Sequence, residues 1–180
     1  EDAGVRIEGA SHHNTFLNNH IFYNTGNGVE IVGSSNDNIF QGNTIAFNSG
    51  NGVLVSGGSI HNTLRGNKIT RNNGKGIKLS GGNAGIPAPV IDEMSFEEKR
   101  VQGYVKDVPK GSVVDVYADR EDEGEVYVGS CRLTSNRFYL KKKIPKGMKL
   151  HAIVTDLEGN TSEFGSYRPS LELRTRPGKV

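Results

Sequence analysis

In the first half of the chain, apolar residues come in very short runs that alternate with variable ones. Val29 and Ile31 flank Glu30, Val53 and Val55 flank Leu54, and Ile77 and Leu79 flank Lys78. A period of two marks a half-buried strand. The runs also recur. Gly28-Val29-Glu30-Ile31-Val32-Gly33 returns as Gly52-Val53-Leu54-Val55-Ser56-Gly57 and as Gly76-Ile77-Lys78-Leu79-Ser80-Gly81, and Gly4-Val5-Arg6-Ile7-Glu8-Gly9 precedes them. Each step is 24 residues, from 28 to 52 to 76, with no insertion. The same step joins Phe16, Phe40 and Leu64, and Ile21, Ile45 and Ile69. Three strand-like pieces fit in each repeat, around 15–17, 20–22 and 29–32. A unit of this size with three strands and no helix predicts one coil of a parallel β-helix. Coils stack strand on strand at a rise of about 4.8 Å, so about three and a half coils form a rod of about 15–20 Å.

Composition sharpens this picture. Of 17 Asn, 15 lie before residue 84, and 16 of 24 Gly lie before residue 86. Both residues are poor helix formers. The Asn fall in columns: Asn14, Asn38 and Asn62; Asn19, Asn43 and Asn67; Asn24, Asn48 and Asn72. These columns predict corner ladders, each amide bonding to its own turn backbone and to the Asn of the next coil. Gly26, Gly50 and Gly74, with Gly28, Gly52 and Gly76, are expected at turns that need positive φ. Phe16, Ile21, Val29 and Ile31 and their equivalents are expected to fill the lumen.

After Gly85 the period ends. Residues 83–89 read as a linker with a restricted backbone. Seven alternating segments follow: Val90–Phe96, Arg100–Val105, Ser112–Ala118, Glu125–Leu133, Phe138–Lys142, Met148–Thr155 and Thr161–Tyr167. Turn signals such as Pro109-Lys110-Gly111 and Pro145-Lys146-Gly147 separate them. Short strands at this spacing predict an antiparallel β-sandwich. The expected division is a β-helix over 1–86, a sandwich over 87–169 and a tail over 170–180 without assigned structure.

The Asn-x-Ile/Phe columns with their Gly-Val-x-Ile-x-Gly runs over residues 4–82 resemble the parallel β-helix repeat of the pectin-lyase-like superfamily. That resemblance implies a right-handed coil and an all-β chain. The stretch His151–Phe164 resembles the closing hairpin of bacterial Ig-like surface domains. The junction Gly85-Ile86-Pro87-Ala88-Pro89 resembles the link between β-helices and such modules in secreted bacterial proteins. The superfamily hosts lyases, hydrolases, epimerases, phage tailspikes and surface proteins, so fold does not decide function.

Polysaccharide cleavage needs paired carboxylates, or an acidic Ca²⁺ site with an Arg or Lys base. Residues 3–86 offer only Glu8, Glu30 and Asp37 as acids, placed in different columns. No catalytic residue or cofactor is assigned. Outward columns carry the candidate ligand contacts: Phe22, Tyr23, Phe47 and Arg71, whose aromatics suit sugar rings. His13, Asp37 and His61 share one turn column, which reads as a solvated edge where polar residues interchange; a small metal or proton site, lacking a fourth ligand, is the alternative. Asp119–Glu125 holds five acids in seven residues; it reads as an exposed hairpin tip, with Ca²⁺ as the alternative. Lys141, Lys142, Lys143, Lys146 and Lys149 read as guards of an edge strand. Cys131 reads as a half-buried thiol, and one Cys excludes an internal disulfide.

Net charge is +2, which gives no footprint for nucleic acid. No apolar run is long enough to span a membrane as a helix, and no leader is visible. The expectation is a non-catalytic secreted or cell-surface module, structural or adhesive, with polysaccharide as candidate partner. The alternatives are the C-terminal part of a β-helical lyase or hydrolase, with its signal peptide and further coils upstream, and an assembly subunit that self-associates through its open N-terminal coil.

Overall fold

The computed structural model describes residues 2–168. The expected tail over 170–180 lies outside them. Each coil supplies three strands. The first has β1 (Val5–Ile7), β2 (Thr15–Leu17) and β3 (His20–Phe22). The second has β4 (Val29–Ile31), β5 (Ile39–Gln41) and β6 (Thr44–Ala46). The third has β7 (Val53–Ser56), β8 (Thr63–Arg65) and β9 (Lys68–Thr70), and β10 (Ile77–Ser80) opens a fourth. Equivalent strands pair in parallel, giving sheets β1-β4-β7-β10, β2-β5-β8 and β3-β6-β9. Each residue faces its equivalent one period on, as in Val29 with Val53, Phe40 with Leu64 and Ile45 with Ile69. The predicted lumen columns are the core. Val29, Ile31, Phe40, Ile45, Val53, Val55 and Leu64 are fully buried, each stabilising by about 1.5–3 kcal/mol. Phe16 stacks on Phe40 with centroids 4.5 Å apart.

The Asn columns run through the corners as continuous chains of amides. Asn43 Oδ1 accepts from the backbone N–H of Asn19 (2.9 Å) and from Asn19 Nδ2 (3.1 Å). Asn43 Nδ2 donates to Asn67 Oδ1 (3.0 Å) and to the Phe16 carbonyl (2.9 Å). The Asn38 and Asn48 amides repeat this arrangement. Oxygen and both N–H bonds of each amide are therefore used. The partners are the neighbouring coils on both sides, more than the turn in which the residue sits. Buried amides tolerate full burial only when so satisfied.

One expectation about the turns needs correction. Gly26, Gly50, Gly74, Gly28, Gly52 and Gly76 do not have positive φ. They are glycine because a side chain has no room. A Cβ on Gly28 would fall 2.5 Å from Ile45 Cγ2 and 2.7 Å from Asn48 Nδ2. The left-handed corners lie elsewhere, and several are not glycine. His13, Asp37 and His61 form one such column, and Tyr23, Phe47 and Arg71 another, all with φ of 57–59°. A non-glycine residue held there costs on the order of 1–3 kcal/mol.

The second unit has β11 (Val90–Ser95), β12 (Arg100–Tyr104), β13 (Val113–Asp119), β14 (Val126–Arg132), β15 (Arg137–Lys141), β16 (Lys149–Thr155) and β17 (Gly165–Ser166). They form two antiparallel sheets, β11-β12-β15 and β14-β13-β16-β17. Ile91, Val101, Phe138 and Leu140 of one share a core with Val114, Val116, Leu150, Ala152 and Val154 of the other. All seven predicted strand segments are present. The last is reduced to two residues; Thr161 and Ser162 still meet β16, Thr161 by an isolated bridge to Thr155 and Ser162 by donating its N–H to the Val154 carbonyl.

Strands β13 and β16 are buried along nearly their whole length. Alternation explains it. Val114, Val116 and Ala118 face the unit's own core. Tyr117 and Ile153 instead join the lumen core of the β-helix. One sheet thus closes the open end of the solenoid.

The buried ladder makes a graded prediction. Asn67→Ala leaves the buried N–H and Nδ2 of Asn43 without an acceptor and should cost about 2–4 kcal/mol. Asn19→Ala, at the exposed edge of the first coil, strands no buried donor and should cost less than about 1 kcal/mol. Urea unfolding midpoints compare the two; equal losses would contradict the ladder's role.

Candidate functional site

Three of the residues singled out for ligand contact line one shallow groove on the flank of the solenoid. Phe22, Phe47 and Arg71 border it with Thr44, Ala46, Lys68, Thr70 and Glu125, and its volume is about 200 Å³. Tyr23 stands beside it, 75% exposed, and stacks on Phe47 at 5.2 Å with planes 17° apart. Phe22 meets Phe47 edge-on at 6.5 Å. The Arg71 guanidinium lies 5.4 Å from the centre of the Phe47 ring, a cation–π contact. The 24-residue step puts Tyr23, Phe47 and Arg71 at the same left-handed corner of successive coils, so their side chains stack outward. His20 extends the aromatic surface by stacking on Phe22 at 5.5 Å. The column of Phe22 is outward only at its first member. Ala46 and Thr70 are buried, and the Thr70 hydroxyl donates to Asp119 Oδ2 at 3.1 Å.

Glu125 reaches the groove from the second unit, and no repeat in the sequence signals it. It follows a segment that departs from expectation. Asp119–Glu125 is not simply an exposed hairpin tip: Asp119 and Glu123 are buried against the last coil. Asp119 accepts from the N–H of Glu121 and of Glu125 as well as from Thr70. Gly124 pairs with Ile69 through reciprocal backbone bonds of 3.2 and 2.7 Å.

Glu123 stands where the next Asn of a ladder would be. Its Oε2 accepts the backbone N–H of Asn72 (3.1 Å) and its Oε1 accepts Asn72 Nδ2 (2.9 Å). The column Asn24, Asn48, Asn72 thus ends on a carboxyl group. The column Asn14, Asn38, Asn62 ends on Asn83, whose Oδ1 accepts the Asn62 N–H at 3.0 Å. Asn83 lies in the supposed linker. It is buried in a single 3-10 turn, Asn83–Gly85, and its Nδ2 donates to the carbonyls of Asn62 and Thr161. Between them, Arg65 holds buried Asp115 by two bonds of 2.8 Å, and Tyr117 Oη accepts the Gly66 N–H at 3.0 Å. Burial keeps the Tyr117 phenol well above its ordinary pKa.

Burial also pushes the Glu123 carboxyl up to about 7, outweighing the bonds from Asn72, with Asp119 and Asp122 adding repulsion. His151, buried nearby, is shifted down, chiefly by burial.

The turn column of His13, Asp37 and His61 does not come together as a metal site. His61 sits between acids, its Nδ1 3.4 Å from Asp37 and its Nε2 3.5 Å from Glu158. Among the described residues, no group of three His, Cys, Asp or Glu side chains is placed to hold a metal ion. Arg6 pairs with both Glu8 and Glu30 at the surface, across adjacent coils. Cys131 is half-buried as expected, and burial pushes its thiol up to about 11, away from a nucleophile's range.

Residues 1–88 match the family model described as "Right handed beta helix region". This half of the chain is a parallel β-helix repeat. No curated protein matches the sequence.

The elevated Glu123 pKa fixes a pH dependence. The unfolded carboxyl titrates near 4.5 and the folded one near 7, so the folded state holds the proton over that interval. This group's stabilisation is complete below the lower value and declines as pH rises through the upper one. His151 acts in the opposite sense: its contribution is present above its ordinary pKa and is lost as pH falls through its lowered folded value. Glu123→Gln retains an acceptor for Asn72 and removes the buried charge. The variant should gain stability over wild type as pH rises from about 5 to about 8. Thermal midpoints at several pH values check it; a constant offset would show that another group controls the junction.

Proposed function

We propose that this chain is a non-catalytic secreted or cell-surface module that binds polysaccharide through the aromatic groove. The carrying observation is the exposed stack of Tyr23 on Phe47, with Phe22 edge-on beside it, rimmed by Lys68, Arg71 and Glu125. Ring faces take the apolar faces of sugars, and the polar rim takes their hydroxyls. A rigid solenoid holds these side chains at fixed spacing, which lowers the ordering cost of binding. The solenoid's acids support the non-catalytic reading, because Glu8 and Glu30 are paired with Arg6 and Asp37 lies beside His61. In the same reading the repeat belongs with the pectin-lyase-like superfamily and the second unit is Ig-like, a pairing that suits a surface role.

A second reading is an assembly subunit: the Asn columns bond coil to coil through both donors and acceptors, the same chemistry that would join the coils of two copies. Concentration-dependent light scattering would favour that reading.

The test of the first reading is a polysaccharide array probed with the purified chain, with product release measured in parallel. Binding without reducing-end or unsaturated-product formation is expected, and Tyr23→Ala with Phe47→Ala should weaken it about tenfold or more. Turnover by the chain would overturn the non-catalytic assignment, and undiminished binding by the double variant would overturn the site.

A further inference from the structure

A second groove opens on the adjoining face of the solenoid. Its volume is about 420 Å³, and it is lined by Leu17, Asn18, Gln41, Gly42, Arg65, Gly66 and Tyr127. We propose that the two grooves form one binding path, along which a single neutral polysaccharide chain is held by both units of the protein. This rests on the polysaccharide reading above and extends it to a second subsite.

Continuity is written in the chain. On the solenoid side, Gly66 of one groove and Lys68 of the other are two residues apart, across the corner between β8 and β9. On the other side, Tyr127 and Glu125 are likewise two residues apart, at the start of β14. β14 is the edge strand of its sheet, so no further strand stands between it and the grooves. The corner itself is open. Gly66 is left-handed, with φ of 62°, and a Cβ there would meet nothing within 4 Å. Gly66 therefore places no side chain of its own across a chain passing from Phe47 toward Tyr127.

The second groove carries the same kind of chemistry as the first. Tyr127 is 48% exposed and presents its ring as a platform. It is braced from behind, edge-on to buried Tyr117 at 5.4 Å, with its hydroxyl 3.4 Å from Asp115. Leu17 is exposed opposite, and Gln41 and Asn18 supply amide donors and acceptors for hydroxyls. In this second groove the one cation is matched, because Arg65 is tied to Asp115 by two bonds. What remains there is ring faces and neutral hydrogen-bonding groups, which suit uncharged sugars over a polyanion. The first groove keeps two cations, Lys68 and Arg71, and one carboxylate, Glu125, at its rim.

The experiment uses calorimetric titration of the whole chain with neutral xylo-, cello- and manno-oligosaccharides, from disaccharide to octasaccharide, and with polygalacturonate as the polyanion. Affinity is expected to rise with length in at least one neutral series. Tyr127→Ala and, separately, Gln41→Ala should each remove most of that rise, about tenfold for the longest member, and leave the shortest binder unchanged. Phe47→Ala should weaken every length. Thermal melts confirm folding, and Gln41 is a surface residue whose loss leaves the fold intact. If Phe47→Ala weakens binding while affinity is independent of length, or Tyr127→Ala and Gln41→Ala bind the longest chain as wild type does, the second subsite is wrong and the first stands. If no oligosaccharide binds, both readings fail. Binding of polygalacturonate alone would overturn the neutral class.

Discussion

A ladder of buried amides can pass hydrogen bonds from coil to coil, but it cannot end inside the protein without a partner. Each Asn column here delivers a backbone N–H and a side-chain N–H to the oxygen of the next coil. At the last coil those donors are buried, and leaving one unsatisfied costs about 1–3 kcal/mol. Glu123 accepts both donors of one column, and Asn83 accepts the backbone N–H of a second, whose Asn62 Nδ2 turns to the Ile60 and Ser35 carbonyls. The lumen makes a parallel demand, because an uncovered end would expose Leu64, Ile69 and Ile77 to water. Tyr117 and Ile153 meet that one.

One sheet does both jobs because a strand has two faces. Val114, Val116 and Ala118 hold the second unit together, while Asp115, Tyr117 and Asp119 bond to Arg65, Gly66 and Thr70 of the solenoid. The two units are thus joined by alternate residues of the same strands. The joint also sets β14 beside the solenoid's flank, and the two grooves lie at that boundary. Rigid placement of the aromatic corners follows from the coil; the wall opposite them follows from the way the ladders end.

The repeat was legible because stacking imposes one register on every column. Val29, Val53 and Ile77 had to recur in step, and so did the Asn corners, whose amides serve their neighbours. The seven later strands were legible from alternation and turn residues. The junction was not. Asn83 falls 21 residues after Asn62, outside the period, and Glu123 replaces an amide with a carboxyl. The glycine columns carry the sign of backbone freedom, yet Gly28 and Gly52 are governed by the closeness of the next coil. Conversely, the left-handed corners carry Tyr23, Phe47 and Arg71, residue types that give no local sign of that conformation. Of the candidate groove, the aromatic column could be found from the period alone. Lys68, Glu125 and Tyr127 depend on long-range packing.

The ladders and the capping sheet make one cooperative structure of the two halves, and native-state hydrogen exchange can show it. The buried amides of Asn43 and Asn48 in the solenoid, and of Val114 and Val154 in the second unit, are expected to open with one common free energy, as in a single global transition. If the second unit's core amides exchanged by an independent opening while those of the solenoid stayed protected, the ladders would not depend on their cap and the two halves would not be one cooperative structure.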